Sequence, residues 1–165
     1  MALSFWTTYD AIRGVLGISN EELPDETLAL PMYEVNLKEV FLDIASDFVT
    51  TATAAKAAVA GGTATAVQSR LTDLVELTAP YIVARQLCDA LPNLAPRLIS
   101  DGKASMNRHD QSYKDLVDSV KVSTASYLKK LSDFYAAEVK SSASATATVT
   151  LFSVSSPTVD VITGA

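Results

Sequence analysis

Residues 113–135 read YKDLVDSVKVSTASYLKKLSDFY, and in this stretch Tyr113, Leu116, Val117, Val120, Thr124, Tyr127, Leu128, Leu131 and Tyr135 recur with the three-and-four spacing of one helical face. An α-helix completes a turn every 3.6 residues, so these side chains form a single apolar stripe and the lysines and aspartates fall largely elsewhere. A helix with such a stripe is stable only when the stripe is buried against other elements. The remainder of the chain is therefore read for the helices that cover it.

Toward the N-terminus, Val67, Leu71, Leu74, Thr78 and Tyr81 lie on one stripe, with Val75, Ile82 and Leu91 on an adjoining one and Pro80 as a kink. This face is broad enough for two neighbours. Pro92 and Pro96 break the chain after it, a brief segment spans 94–99, and Asp101-Gly102 makes a turn. Upstream, Tyr33, Leu37, Val40, Phe41, Ile44 and Phe48 predict one amphipathic helix running through Phe48. Thr and Ala then dominate up to Ala60, where Gly61-Gly62 marks a break, and the small side chains permit close helix approach. The first helix is expected over 4–16, from Phe5, Tyr9, Ile12 and Leu16, with Ser4 capping its start and Gly17 suiting its end. Ser19 and Glu22 have capping-box spacing, and Leu23-Pro24-Asp25 makes a turn in which Asp25 can cap a further helical start.

The period changes after Lys140. Ala143, Ala145, Ala147, Val149 and Leu151 alternate with Ser144, Thr146, Thr148 and Thr150, the two-residue repeat of an extended strand. One strand has no stability alone, and the outer positions Phe152, Val154, Val159, Val161 and Ile162 are too apolar for a purely solvating tail. The expectation is an all-α fold, a small bundle of about four main helices over 1–140, followed by a β-prone arm over 141–165 that docks on a partner.

Composition narrows the function. The chain has 165 residues, 19 acidic and 13 basic side chains, one His and one Cys. A chain of this size buries roughly 70% of its unfolded surface and can support its own core. A net charge of −6 and a pI near 4.7 argue against a protein that works by neutralising many phosphates. The charge is uneven, with nine acids against Arg13 and Lys38 between Asp10 and Asp47, a local net of −7. The sole cysteine, Cys88, lies in the apolar run 81–91 and reads as a core residue, which leaves no internal disulfide or Cys-based metal cluster. The opening MALSFWTTYD lacks the basic and apolar regions of a signal peptide, so a cytoplasmically made chain is expected. The uncharged run 141–159 has 19 residues, yet ten are Ser or Thr and Pro157 interrupts it, so it is not read as a membrane span.

Catalytic and cofactor signatures are not found in the sequence. His109, between Arg108 and Asp110, reads as a solvated surface side chain rather than a general base. No G-x-S-x-G occurs, and Gly61-Gly62 is followed by Thr-Ala-Thr rather than by the Gly-Lys-Ser/Thr of a phosphate loop. The carboxylates Glu21, Glu22, Asp25 and Glu26 match no calcium loop, and helix capping is their ordinary role. No catalytic residue, metal site or cofactor is expected.

The stretch Tyr9-Asp10-Ala11-Ile12-Arg13-Gly14-Val15-Leu16-Gly17-Ile18-Ser19, continued by Glu21-Glu22-Leu23-Pro24-Asp25-Glu26-Thr27-Leu28, resembles the N-terminal pattern of tailed-bacteriophage head-tail connector proteins of the adaptor or head-completion class. Asp101-Gly102, Ser105 and Arg108, followed by Tyr113 and a long amphipathic helix, resemble the same family's approach to its last helix. The resemblance covers most of residues 5–135 in order. It implies a small helical bundle that forms a ring, usually of twelve copies, beneath the portal of the filled capsid, with C-terminal segments reaching the portal and a stopper or tail-completion protein on the other side. It further implies a non-enzymatic protein of the virion neck, assembled in the host cytoplasm, through whose channel DNA passes without specific binding. On that reading Val149, Leu151, Phe152, Val154, Val159, Val161 and Ile162 dock on the portal. Glu21, Glu22, Asp25 and Glu26 then line or approach the channel, where negative charge keeps DNA from adhering. The alternative is a small helical DNA-packaging or regulatory DNA-binding factor. It would use Arg97, Lys103, Arg108, Lys114, Lys121, Lys129 and Lys130, which are interleaved with Asp101, Asp110, Asp115 and Asp118.

Overall fold

The computed structural model describes residues 2–88, 98–100, 105–107 and 113–141. The fold is all-α, and the described residues contain six helices. A 3-10 turn, Leu3–Phe5, leads into α1 (Tyr9–Leu16), the short α2 (Asp25–Leu28), α3 (Pro31–Leu42), α4 (Phe48–Ala60), α5 (Ala66–Leu87) and α6 (Tyr113–Phe134), which runs on as a π-helical segment, Tyr135–Val139. Between α5 and α6 two short strands, β1 (Leu98–Ser100) and β2 (Ser105–Asn107), pair antiparallel with Ile99 opposite Met106. The turn expected at Asp101-Gly102 lies outside the described residues, as do Pro92, Pro96 and Leu91.

The long α5 is the central element, packed against α1, α4 and α6. Its sequence explains why. Leu71, Leu74, Val75, Thr78, Ala79, Ile82 and Val83 cover about half its circumference and are all buried. Thr65 and Gln68 form a reciprocal capping box that starts it. The helix passes through buried Pro80, which lacks an N–H, so the Glu76 carbonyl loses its helical donor. The stripe read in 113–135 faces α5. Val120, Thr124, Leu131 and Tyr135 are buried, Leu116, Val117, Tyr127 and Leu128 are half-buried, and the Tyr113 side chain lies outside the described residues. Thr124 Oγ1 donates to the Val120 carbonyl at 2.7 Å and sits 3.2 Å from the Tyr81 carbonyl, while the Tyr81 and Tyr127 rings lie 4.8 Å apart. Burial, and then the neighbouring Tyr127, raise the pKa of Tyr81.

Several local expectations are corrected. The helix predicted from Ser4 begins at Tyr9, and its cap is Thr8, whose hydroxyl accepts from the Ala11 N–H at 3.2 Å. Separating the 3-10 turn from α1 lets Trp6 enter the core with no exposed surface. Gly17 ends α1 with φ of 65°, the left-handed conformation that glycine adopts without a Cβ penalty. The helix predicted through Phe48 is two helices. In an unbroken helix Phe41 and Phe48 would stand about 10 Å apart along the axis. The turn at 43–47 brings their rings to 5.1 Å and carries Phe48 to within 4.8 Å of Tyr135. Phe5, Trp6, Phe41, Phe48 and Tyr135 thereby form a continuous line of ring contacts joining both ends of the described chain. Such rings dominate core energetics, and truncating one to Ala costs about 3–5 kcal/mol. Cys88 is buried.

Candidate functional site

Two surface features stand out, one polar and one apolar. The polar one is built by α1, the loop after it and the start of α2. Arg13 lies on the buried side of α1, its side chain 7% exposed, at a position where a helix facing a core ordinarily carries an apolar residue. Each of its three guanidinium nitrogens donates a hydrogen bond. Nε donates to the Leu23 carbonyl at 2.9 Å, Nη1 to Asp10 at 2.9 Å, and Nη2 to Asp25. The bond donated to Asp25 raises the Arg13 pKa, burial opposes it, and Asp10 adds to the rise. One guanidinium thus fastens the loop carbonyl and the first turn of α2 to α1.

This corrects the reading of Asp25 as a cap, since Asp25 is the first residue of α2 and accepts from Arg13 instead. Ser19 and Glu22 do meet. Glu22 Oε2 accepts from the Ser19 N–H at 2.8 Å and from its hydroxyl at 2.9 Å, but the pair closes a turn, not a helix start. Of the four clustered carboxylates, Asp25 and Glu22 therefore hold the fold, whereas Glu21 and Glu26 are exposed. Among the described residues no group of three or more His, Cys, Asp or Glu side chains is arranged to hold a metal ion. The sequence held one signal for Arg13, which is that it is one of two bases among nine acids in 10–47.

The apolar feature is the outer face of α3. Tyr33, Leu37 and Phe41 point into the core, and on the opposite side Met32, Val35 and Leu42 are 54%, 55% and 41% exposed, next to Leu30 at 46%. Sequence reasoning missed this face because it counted only the core stripe. The signal was present in Met32 and Val35, apolar residues at polar positions of the pattern. Elsewhere, a shallow groove between α3 and α6 is lined by Val40, Ile82, Gln86, Thr124 and Leu128, and a cleft of about 280 Å³ lies beside Trp6, Thr7 and the Lys56–Glu76 ion pair of 2.8 Å.

The proposed docking residues Val149, Leu151, Phe152, Val154, Val159, Val161 and Ile162 lie outside the described residues, as do His109, Arg97, Lys103 and Arg108. Among the described residues no helix is long and apolar enough to cross a membrane. Compared with known protein families, with curated proteins and with solved structures, the chain matches none.

Proposed function

We propose that this chain is a structural protein of a tailed-bacteriophage virion, a head-tail adaptor that assembles as a ring beneath the portal and extends the DNA channel toward the tail. The observation that carries the reading is the corner built from residues 9–28. The stretch that resembles the connector family is folded as one unit, with Gly17 in the left-handed turn, Ser19 and Glu22 closing the loop, and Arg13 tied to Asp25. Arg13, Gly17, Ser19, Glu22 and Asp25 of that stretch each have a structural task in this corner. The all-α bundle is of the kind the resemblance implies. The local net charge of −7 up to Asp47 fits a surface that DNA must pass without adhering.

In this reading the protein acts through geometry and electrostatics without catalysis or a cofactor, and the arm over 141–165 attaches each subunit to the portal. The test is electron microscopy of the purified protein with and without portal, then genome ejection from particles carrying Glu21→Gln and Glu26→Gln. Those two carboxylates are chosen because Glu22 and Asp25 also hold the fold. We expect rings that dock on the portal and, in the double variant, intact rings with slowed ejection. A protein that never forms rings sinks the adaptor reading, and unchanged ejection removes the acidic cluster from the channel.

A further inference from the structure

We infer that in the free protein residues 149–153 lie in the groove between α3 and α6 of their own chain. Val40, Ile82, Gln86, Thr124 and Leu128 line one stretch of this groove, and Val40, Ile44, Leu128 and Ser132 line the next. The shared Val40 and Leu128 make the two stretches continuous. Val40, Ile44 and Leu128 are half-buried, so the groove presents apolar surface that the helical body leaves in water. It also holds a polar atom without a partner. Gln86 Oε1 is buried and accepts no hydrogen bond among the described residues, a cost that a donor entering the groove removes. An apolar segment in extended conformation meets both needs, because its backbone N–H groups are not spent within a helix.

Chain length identifies the segment. Along α6 the groove runs from Thr124 to Ser132, about 12 Å, and Ser132 lies about 13 Å short of Ser141, where the described body ends. An extended chain advances about 3.3 Å per residue, so a chain that turns back after Ser141 reaches Ser132 in about four residues beyond the turn and crosses the groove in about four more. With about four residues spent in the turn, the segment in the groove begins near Val149. Val149, Leu151 and Phe152 are the first large apolar side chains after Val139, and only Ser, Thr, Ala and the one Lys140 precede them. The tether favours the chain's own groove over that of a second copy, because a short linker gives a high effective concentration. Docking withholds the arm until a portal competes for it, a consequence that rests on the adaptor reading above. An arm that must leave the groove is bound only slightly better than it is free, so it adds little to the stability of the body.

A nitroxide spin label on the full-length variant Thr150→Cys tests the assignment, since Thr150 lies between Val149 and Leu151 and the sole native thiol, Cys88, is buried. In NMR spectra the methyl signals of Val40, Ile44 and Leu128 are expected to be lost while those of Val59, at the far end of α4, persist. Adding Leu151→Asp to the labelled chain should restore the lost signals. Broadening that is strongest at Val139 and fades away from it is the pattern of an undocked tether and overturns the inference. Loss of the effect when the labelled chain is diluted tenfold with unlabelled chain assigns the contact to another copy and overturns it too. Added portal should return the signals, whereas a portal complex that forms with the broadening intact removes the arm from portal attachment and leaves the groove assignment standing.

Discussion

Arg13 is buried beside two exposed carboxylates, and the asymmetry decides what each partner is worth. Its side chain is 7% exposed, whereas Asp10 is 93% and Asp25 60% exposed. If Arg13 is replaced by Ala, the carboxylates return to water at little cost, but the Leu23 carbonyl loses its donor and the helix loses the side chain that fills that part of the core edge. Hydrogen bonds to a charged group contribute roughly 1.5–3 kcal/mol, so Arg13→Ala should lower stability by about that amount. Asp25→Asn removes one half of a largely hydrated pair and should cost less than about 1 kcal/mol. Arg13→Lys should recover only part of the loss, because an ammonium cannot serve three diverging acceptors as the planar fork does. Urea midpoints of the three variants check the order, and an unchanged midpoint for Arg13→Ala would refute the role given to it. This site was only half legible in the sequence. Spacing marks Ser19 and Glu22 as a pair three residues apart, but Arg13 and Asp25 are twelve apart and meet only because the loop at 17–24 turns back.

At the scale of elements, periodicity identified α5 and α6 well because each is long and buries one continuous stripe. It failed at the turn between α3 and α4. Tyr33, Leu37, Phe41 and Phe48 keep helical phase across 43–47, so a pattern that records angle alone cannot tell a continuous helix from two helices whose apolar faces meet at a corner. What ends α3 is local, since the Ile44 N–H bonds to the Phe41 carbonyl at 3.1 Å as the chain tightens, and a new helix opens at Phe48. Within α3, Glu34 and Lys38 form an ion pair one turn apart, and the hydrogen bond from Lys38 holds the Glu34 carboxyl below its ordinary range while burial works against it. A depressed carboxylate contributes stability that is fully present above its unfolded pKa, about 4.3, and is lost as pH falls through the lower folded value. Such helix pairs contribute about 0.3–0.5 kcal/mol. Glu34→Gln should therefore be slightly less stable than the parent at pH 7, and the difference should be smaller at pH 3. Thermal melts at the two pH values check this, and a difference that persists undiminished in acid would assign the effect to packing instead.

For the whole molecule, the line of aromatic contacts carries the described core past the end of α6. Tyr135 is buried, its ring lies 4.8 Å from Phe48, and its hydroxyl is 3.2 Å from Thr51 Oγ1, so the π-helical segment after α6 belongs to the core although it follows the last long helix. Val139 packs against the same cluster, and the Ser141 hydroxyl bonds back to the Ala137 carbonyl. A chain stopped after Ser141 keeps every buried residue of the described core and should melt within a degree or two of the parent. A chain stopped after Phe134 loses Tyr135 and exposes Phe48, which costs about 3–5 kcal/mol, enough to unfold a marginal domain. The pair of truncations separates folding from docking. If residues 142–165 are the portal-binding arm, the longer truncation should be folded and helical by circular dichroism, and it should fail to sediment with portal at concentrations where the full chain does. Normal co-sedimentation of that folded truncation would remove the arm from the attachment and leave it to surfaces of the helical body.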